Sequence, residues 1–137
     1  MKNIASIESD NDEAIHWSEV IERLDDEYDS RRRNVAMTIL HEKLTPELLE
    51  SEPDIYLEGA KLAIRGAKDS NYTVRDYASY ILWQILQDTE ETQDVSIQEL
   101  YGDVYKTMKD LTNDTNKRVK VTAKDILWVY NKEGANS

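Results

Sequence analysis

The chain has no cysteine among its 137 residues. That excludes a disulfide framework, thiolate chemistry and a zinc finger, and it suits a reducing compartment such as the cytoplasm. Glycine occurs only four times and proline twice, too few for the many tight turns of an all-β domain. No stretch approaches the roughly 20 apolar residues of a membrane span, and residues 1–12 lack the apolar run of a signal peptide. Basic charge is the scarcer sign: 17 Lys and Arg against 28 Asp and Glu leave a net charge of −11. Nucleic-acid binding draws much of its affinity from basic residues on phosphates, so this balance disfavours it. An acidic chain instead attracts a partner protein with a basic surface, and complementary charge speeds that encounter.

Catalytic patterns are also missing. The two histidines, His16 and His41, are far apart and show no metal-ligand spacing. There is no Gly-rich phosphate loop and no nucleophile elbow. Adjacent acids such as Asp25-Asp26 or Glu90-Glu91 carry no specificity for acid–base catalysis in a chain this rich in carboxylates. Asp10-Asn11-Asp12-Glu13 is oxygen-rich, but the glycine of a sharp turn and the spaced bidentate Glu of a calcium loop are missing. The expectation is a non-enzymatic protein without a metal or a cofactor.

What is present is a helical segment repeated three times. Residues 29–44 read DSRRRNVAMTILHEKL, residues 71–86 NYTVRDYASYILWQIL and residues 116–131 NKRVKVTAKDILWVYN. Ala36, Ala78 and Ala123 coincide, which sets the offsets at 42 and 45 residues. Each alanine is followed by an Ile-Leu-aromatic or Ile-Leu-His triplet: Ile39-Leu40-His41, Ile81-Leu82-Trp83 and Ile126-Leu127-Trp128. That spacing belongs to stacked two-helix repeats.

Apolar periodicity fills in the remaining helices. A first helix is expected from Asp10 or Asp12, with Ala14, Trp17, Ile21, Leu24 and Tyr28 on one stripe. Trp17 on that stripe is expected in the core. A second helix starts near Ser30, with Val35, Ala36, Ile39, Leu40 and Leu44 inside. Thr45-Pro46-Glu47 places a cap before a proline and starts a short helical turn. Helices over 55–68 and 72–87 follow, and the acidic stretch 88–96 is expected to be the longest loop. Ser96 caps the next helix, which carries Leu100, Tyr101, Val104, Met108 and Leu111. The last helix is expected to end near Asn131. Residues 1–12 and 132–137 are expected to be tails around one domain over 13–131.

The chain resembles a HEAT or armadillo-like repeat protein. That pattern places an Asp in the turn between two helices. A Val-Arg pair opens the second helix, ahead of a buried Ala and apolar residues. Asp69, Val74, Arg75, Ala78, Ile81 and Leu82 match it, and so, nearly as well, do Asp114, Val119, Lys120, Ala123, Ile126 and Leu127. In the first copy Glu27 stands for the Asp, and Arg32 and Arg33 replace the Val-Arg pair. The resemblance implies an all-α fold, an α-α superhelix of six to seven helices, and a turn Asp that caps a helix or meets the following Arg.

At about 100° per residue, the positions opposite each apolar stripe are His41, Trp83 and Trp128, with Asp76 and Tyr80 beside Trp83 and Asp125 beside Trp128. Stacked second helices would align them on one surface. Trp and Tyr are favoured at interface hot spots, so these six residues are the candidate partner-binding set. The acids cluster: residues 1–29 hold ten acidic and two basic residues, and residues 88–103 hold six acids and no base. The bases gather at second-helix starts, at Arg31, Arg32, Arg33, Arg75, Lys117, Arg118 and Lys120. Helix N-termini disfavour cations, so ion pairs with neighbouring repeats, or an external contact, are expected there. Small size, acidity and an aromatic face together point to an inhibitor or immunity-type protein that neutralises a basic partner such as a nuclease toxin. A general adaptor or assembly scaffold is the alternative, and a HEAT-like protein acting on nucleic acid a more distant one.

Overall fold

A computed structural model describes residues 16–135, which form seven α-helices and no strand. These are α1 (Ser18–Leu24), α2 (Ser30–Lys43), α3 (Pro46–Ser51), α4 (Pro53–Gly66), α5 (Tyr72–Thr89), α6 (Val95–Leu111) and α7 (Lys117–Ala135). The cap expected at Asp10 or Asp12 lies outside the described residues. None of the helices is long and apolar enough to cross a membrane.

Local chemistry sets most boundaries. The side chains of Asp29, Thr45 and Asn71 accept N–H bonds at the starts of α2, α3 and α5, and Asn116 does the same for α7. Pro46 and Pro53 open α3 and α4, where the missing N–H costs nothing. Three boundaries depart from the pattern. α1 ends at Leu24, so Tyr28 leaves the stripe and is 92 % exposed. Asp94, not Ser96, caps α6 by accepting from the Ile97 N–H; a carboxylate is favoured there by the helix dipole. α5 continues through Thr89 into the stretch expected to be loop. Its polar residues are used there: Thr89 Oγ1 donates to the Ile85 carbonyl at 2.7 Å, and Asp88 accepts from Tyr56 Oη at 2.9 Å and Gln84 Nε2 at 3.0 Å. Burial raises the Asp88 carboxyl above its ordinary range, aided by the charge of Glu47 and opposed by those two hydrogen bonds. At the other end, α7 runs on to Ala135, past the expected stop at Asn131.

Each helix of the repeated segment touches the helix that precedes its turn, α2 with the seven-residue α1, α5 with α4 and α7 with α6. Between pairs the contacts repeat: α2 touches α4 and α5, and α5 touches α6 and α7, while α4 touches α6. The second helices thus form a row in which α5 has a neighbour on each side. One core runs through all three pairs, including Ala36, Met37 and Leu40, then Val74, Ala78, Ile81 and Leu82, then Val119, Ala123 and Ile126. Trp17 is buried in it at 5 % exposure and donates from Nε1 to the Ile55 carbonyl. Tyr101 and Tyr130 join α6 to α7 through their hydroxyls at 2.7 Å.

The same polar clamp joins successive pairs twice. Arg33 Nε and Nη2 grip Asp69 Oδ1 and Oδ2 at 2.8 and 3.1 Å, while Nη1 donates to the Asp26 carbonyl. Arg75 grips Asp114 in the same two-pronged way at 2.9 and 2.8 Å, and its Nη1 donates to the carbonyls of Asp69 and Ser70. All four side chains are nearly buried. Each turn aspartate therefore meets the arginine of the preceding second helix, not the one that follows it. Each also accepts from the amide two residues on, Asn71 for Asp69 and Asn116 for Asp114. By that criterion the first turn uses Asp26, which accepts from the Tyr28 and Asp29 amides, rather than Glu27. Arg33, in turn, does the work of Arg75. Arg32 takes the free oxygen of Asp26 at 3.0 Å, and this bond, with the two amides, lowers the Asp26 pKa.

Two tests follow from this packing. A Cβ at Gly59 would overlap the Trp17 indole and Leu44, whereas one at Gly102 meets open space. Gly59→Ala is expected to destabilise by about 1–3 kcal/mol and Gly102→Ala to stabilise by about 0.5–1 kcal/mol, read from urea midpoints. The second test is Asp114→Ala. Burial works to raise the Asp114 pKa, but hydrogen bonds from Arg75 and the Asn116 amide, with the guanidinium charge, hold it below the ordinary value. Removing the carboxylate strands a buried guanidinium, so a loss of about 3–5 kcal/mol is expected at neutral pH. The unfolded carboxyl titrates near pH 4. The difference from the unsubstituted chain should be complete above that value and shrink as pH falls through the lowered folded value, measured by denaturation across pH.

Candidate functional site

The row of second helices decides how each candidate residue is presented. On α5, Asp76, Tyr80 and Trp83 lie one helical turn apart in sequence and share the stripe opposite Ala78, Ile81 and Ile85. Asn34 of α2 and Arg118, Thr122 and Asp125 of α7 border that stripe, which forms the floor of a trough. Asp76 is only 6 % exposed and Trp83 is half-buried against the core, although both were expected on an open surface. Tyr80 stands up from the floor at 45 % exposure. The candidates on the outer helices of the row are exposed among the described residues. His41 on α2 is exposed and meets the half-buried Tyr77 ring edge-on at 5.9 Å. Trp128 on α7 is 63 % exposed, with the Lys132 ammonium 4.7 Å from its ring centre. Asp125, on the same helix, is exposed.

Two clefts meet at Tyr80. The first, of about 360 Å³, is lined by Asn34, Thr73, Asp76, Tyr77, Tyr80 and Arg118. The second, of about 230 Å³, lies between α5 and α7 and includes Trp83, Thr122, Asp125 and Val129. Asp76 Oδ2 faces Arg118 Nε at 3.3 Å, and the arginine side chain is 70 % exposed. The other oxygen, Asp76 Oδ1, is buried with no hydrogen-bond partner among the described residues, and so is Trp83 Nε1. Most buried polar groups are satisfied, and an unmet one costs about 1–3 kcal/mol. Finding two of them, an acceptor and a donor, on one face of one helix marks this trough among the surfaces of the molecule.

Asp76, Tyr80 and Trp83 therefore come together, Asp125 joins them across the second cleft, His41 reaches them through Tyr77, and Trp128 stands apart, exposed on α7. Asn34, Thr73, Tyr77 and Arg118 belong to the site and were not among the expected residues. Thr73 and Tyr77 flank Asp76 at helical spacing, a signal legible in sequence. Arg118 and Asn34 come from other helices and needed the packing. No group of three metal-ligating side chains converges among the described residues.

The environments of the indoles separate them experimentally. Trp17 and Trp83 are shielded and Trp128 is open, so Trp128→Phe should remove most of the acrylamide-quenchable fluorescence and Trp83→Phe little of it. Equal losses from the two variants would contradict the trough geometry.

In comparisons with known proteins, no family model, no curated protein and no solved structure matches the chain.

Proposed function

We propose that the chain is a non-enzymatic protein-binding module. In this reading the three helical pairs stack as a HEAT-like α-solenoid, and the row α2, α5 and α7 receives a partner with a basic surface. The form favoured is an inhibitor of the immunity type, which covers a basic partner such as a nuclease toxin. The observation that carries the reading is Trp128, a tryptophan left 63 % exposed beside Asp125 on a chain of net charge −11. Exposed tryptophan is a frequent energetic centre of interfaces. The acidity speeds the encounter with a basic surface, and the aromatic contact slows dissociation. The recurring Arg–Asp clamps support the solenoid part of the reading, since they relate successive pairs by the same contacts.

Affinity capture from the native host with the full chain, followed by identification of the co-purifying protein, tests this. A basic protein should be retained. Its affinity should fall at least about tenfold with Trp128→Ala, and its association rate should fall as salt rises. Capture undiminished by both Trp128→Ala and Trp83→Ala would remove the proposed face. Retention of nucleic acid in a low-salt titration would favour a nucleic-acid role instead.

A further inference from the structure

The unmet oxygen of Asp76 indicates what kind of group the trough accepts. Asp76 is more than nine-tenths buried and lines the cleft of Asn34, Thr73, Tyr77, Tyr80 and Arg118. A hydrogen-bond donor is required, because an ionised carboxylate only accepts. The two aspartates of the inter-pair clamps show the full version of such a contact: each receives two N–H groups of one guanidinium, one on each oxygen. Arg118 gives Asp76 no such contact: its Nε lies 3.3 Å from Oδ2 as an ion pair without hydrogen-bond geometry, on a side chain that is 70 % exposed. Withdrawing that side chain leaves the Asp76 carboxylate unpaired, so it gives way only to a donor that makes the better contact. Tyr77 and Tyr80 line the same cleft, and a planar guanidinium stacks on aromatic rings as well as pairing with a carboxylate.

We infer that this cleft is the receptor for an arginine side chain of the partner, with Asp76 as its two-pronged acceptor and Arg118 as the residue it displaces. The inference rests on the protein-binding reading and specifies the chemistry of one contact within it. An ammonium group fits less well, since it is a compact point charge that cannot span both oxygens in a plane. An anionic side chain is excluded by Asp76 itself.

The test is an NMR titration of the full chain at low ionic strength with acetyl-Gly-Arg-Gly-amide, with the corresponding lysine and glutamate peptides as comparisons. The arginine peptide should give saturable shifts at Asp76, Tyr77, Tyr80 and Arg118, the lysine peptide weaker ones and the glutamate peptide none. Asp76→Asn should weaken arginine-peptide binding about tenfold or more. It should not lower the unfolding midpoint, because a buried amide is less costly than a buried carboxylate with an unmet oxygen. Arg118→Ala, with its unfolding midpoint checked alongside, should tighten binding by removing the competitor. The inference is overturned if the arginine peptide fails to saturate, if the glutamate peptide perturbs the same residues, or if Asp76→Asn or Arg118→Ala leaves the affinity unchanged. Capture of a partner through Trp128 that is indifferent to Asp76→Asn would also overturn it, while leaving the protein-binding reading in place.

Discussion

The rest of the structure depends on a buried arginine gripping an aspartate one helical pair further along. Arg33 with Asp69 and Arg75 with Asp114 each place a guanidinium at the start of a second helix and a carboxylate in the turn before the next one. The carboxylate also accepts an amide of its own turn, and the third guanidinium nitrogen binds carbonyls of the turn behind it. One side chain thereby fixes two turns and the distance between them. Such pairs add little net stability over an apolar alternative, because removing two charges from water is costly. The role assigned to them is register: each ties one second helix to the turn before the next, while the core supplies the burial.

The side chains of α2 and α7 that border α5 make the trough. Ala36, Ala78 and Ala123 are fully buried in the core beneath it. Asp76 is buried and Trp83 half-buried, while His41 and Trp128, at the position of Trp83 on the flanking helices, are exposed. The polar groups left without partners are a cost of that geometry. Sites that bind other molecules commonly keep such a cost in the free protein, since it is relieved only when the right partner arrives.

Much of the fold was legible in the sequence because it depends on local spacing. The stripe Val74, Ala78, Ile81 and Leu82 and the cap Thr45 act within a turn or two of chain. The departures come from longer-range effects. Asp88 joins α5 because Tyr56, on another helix, reaches it. Arg33 serves the first pair as Arg75 serves the second, but one additional residue between Asp26 and the α2 cap hid the matching turn acid behind Glu27. The candidate face was half legible. Helical arithmetic on one helix puts Trp83 and Trp128 in the same outward position, yet only Trp128 is open. The difference is made by the helices on either side, which a single stripe does not describe.

A double-mutant cycle at Arg75 and Asp114 tests the clamp most directly. Arg75→Met, Asp114→Leu and the double variant would be compared by denaturant unfolding at neutral pH. If the pair links α5 to the turn before α7, each single change leaves a buried charge unmatched, and the double variant recovers much of the loss, with a coupling above about 1.5 kcal/mol. Losses that add to within about 0.5 kcal/mol would mean that the two residues act independently and that something else sets the register.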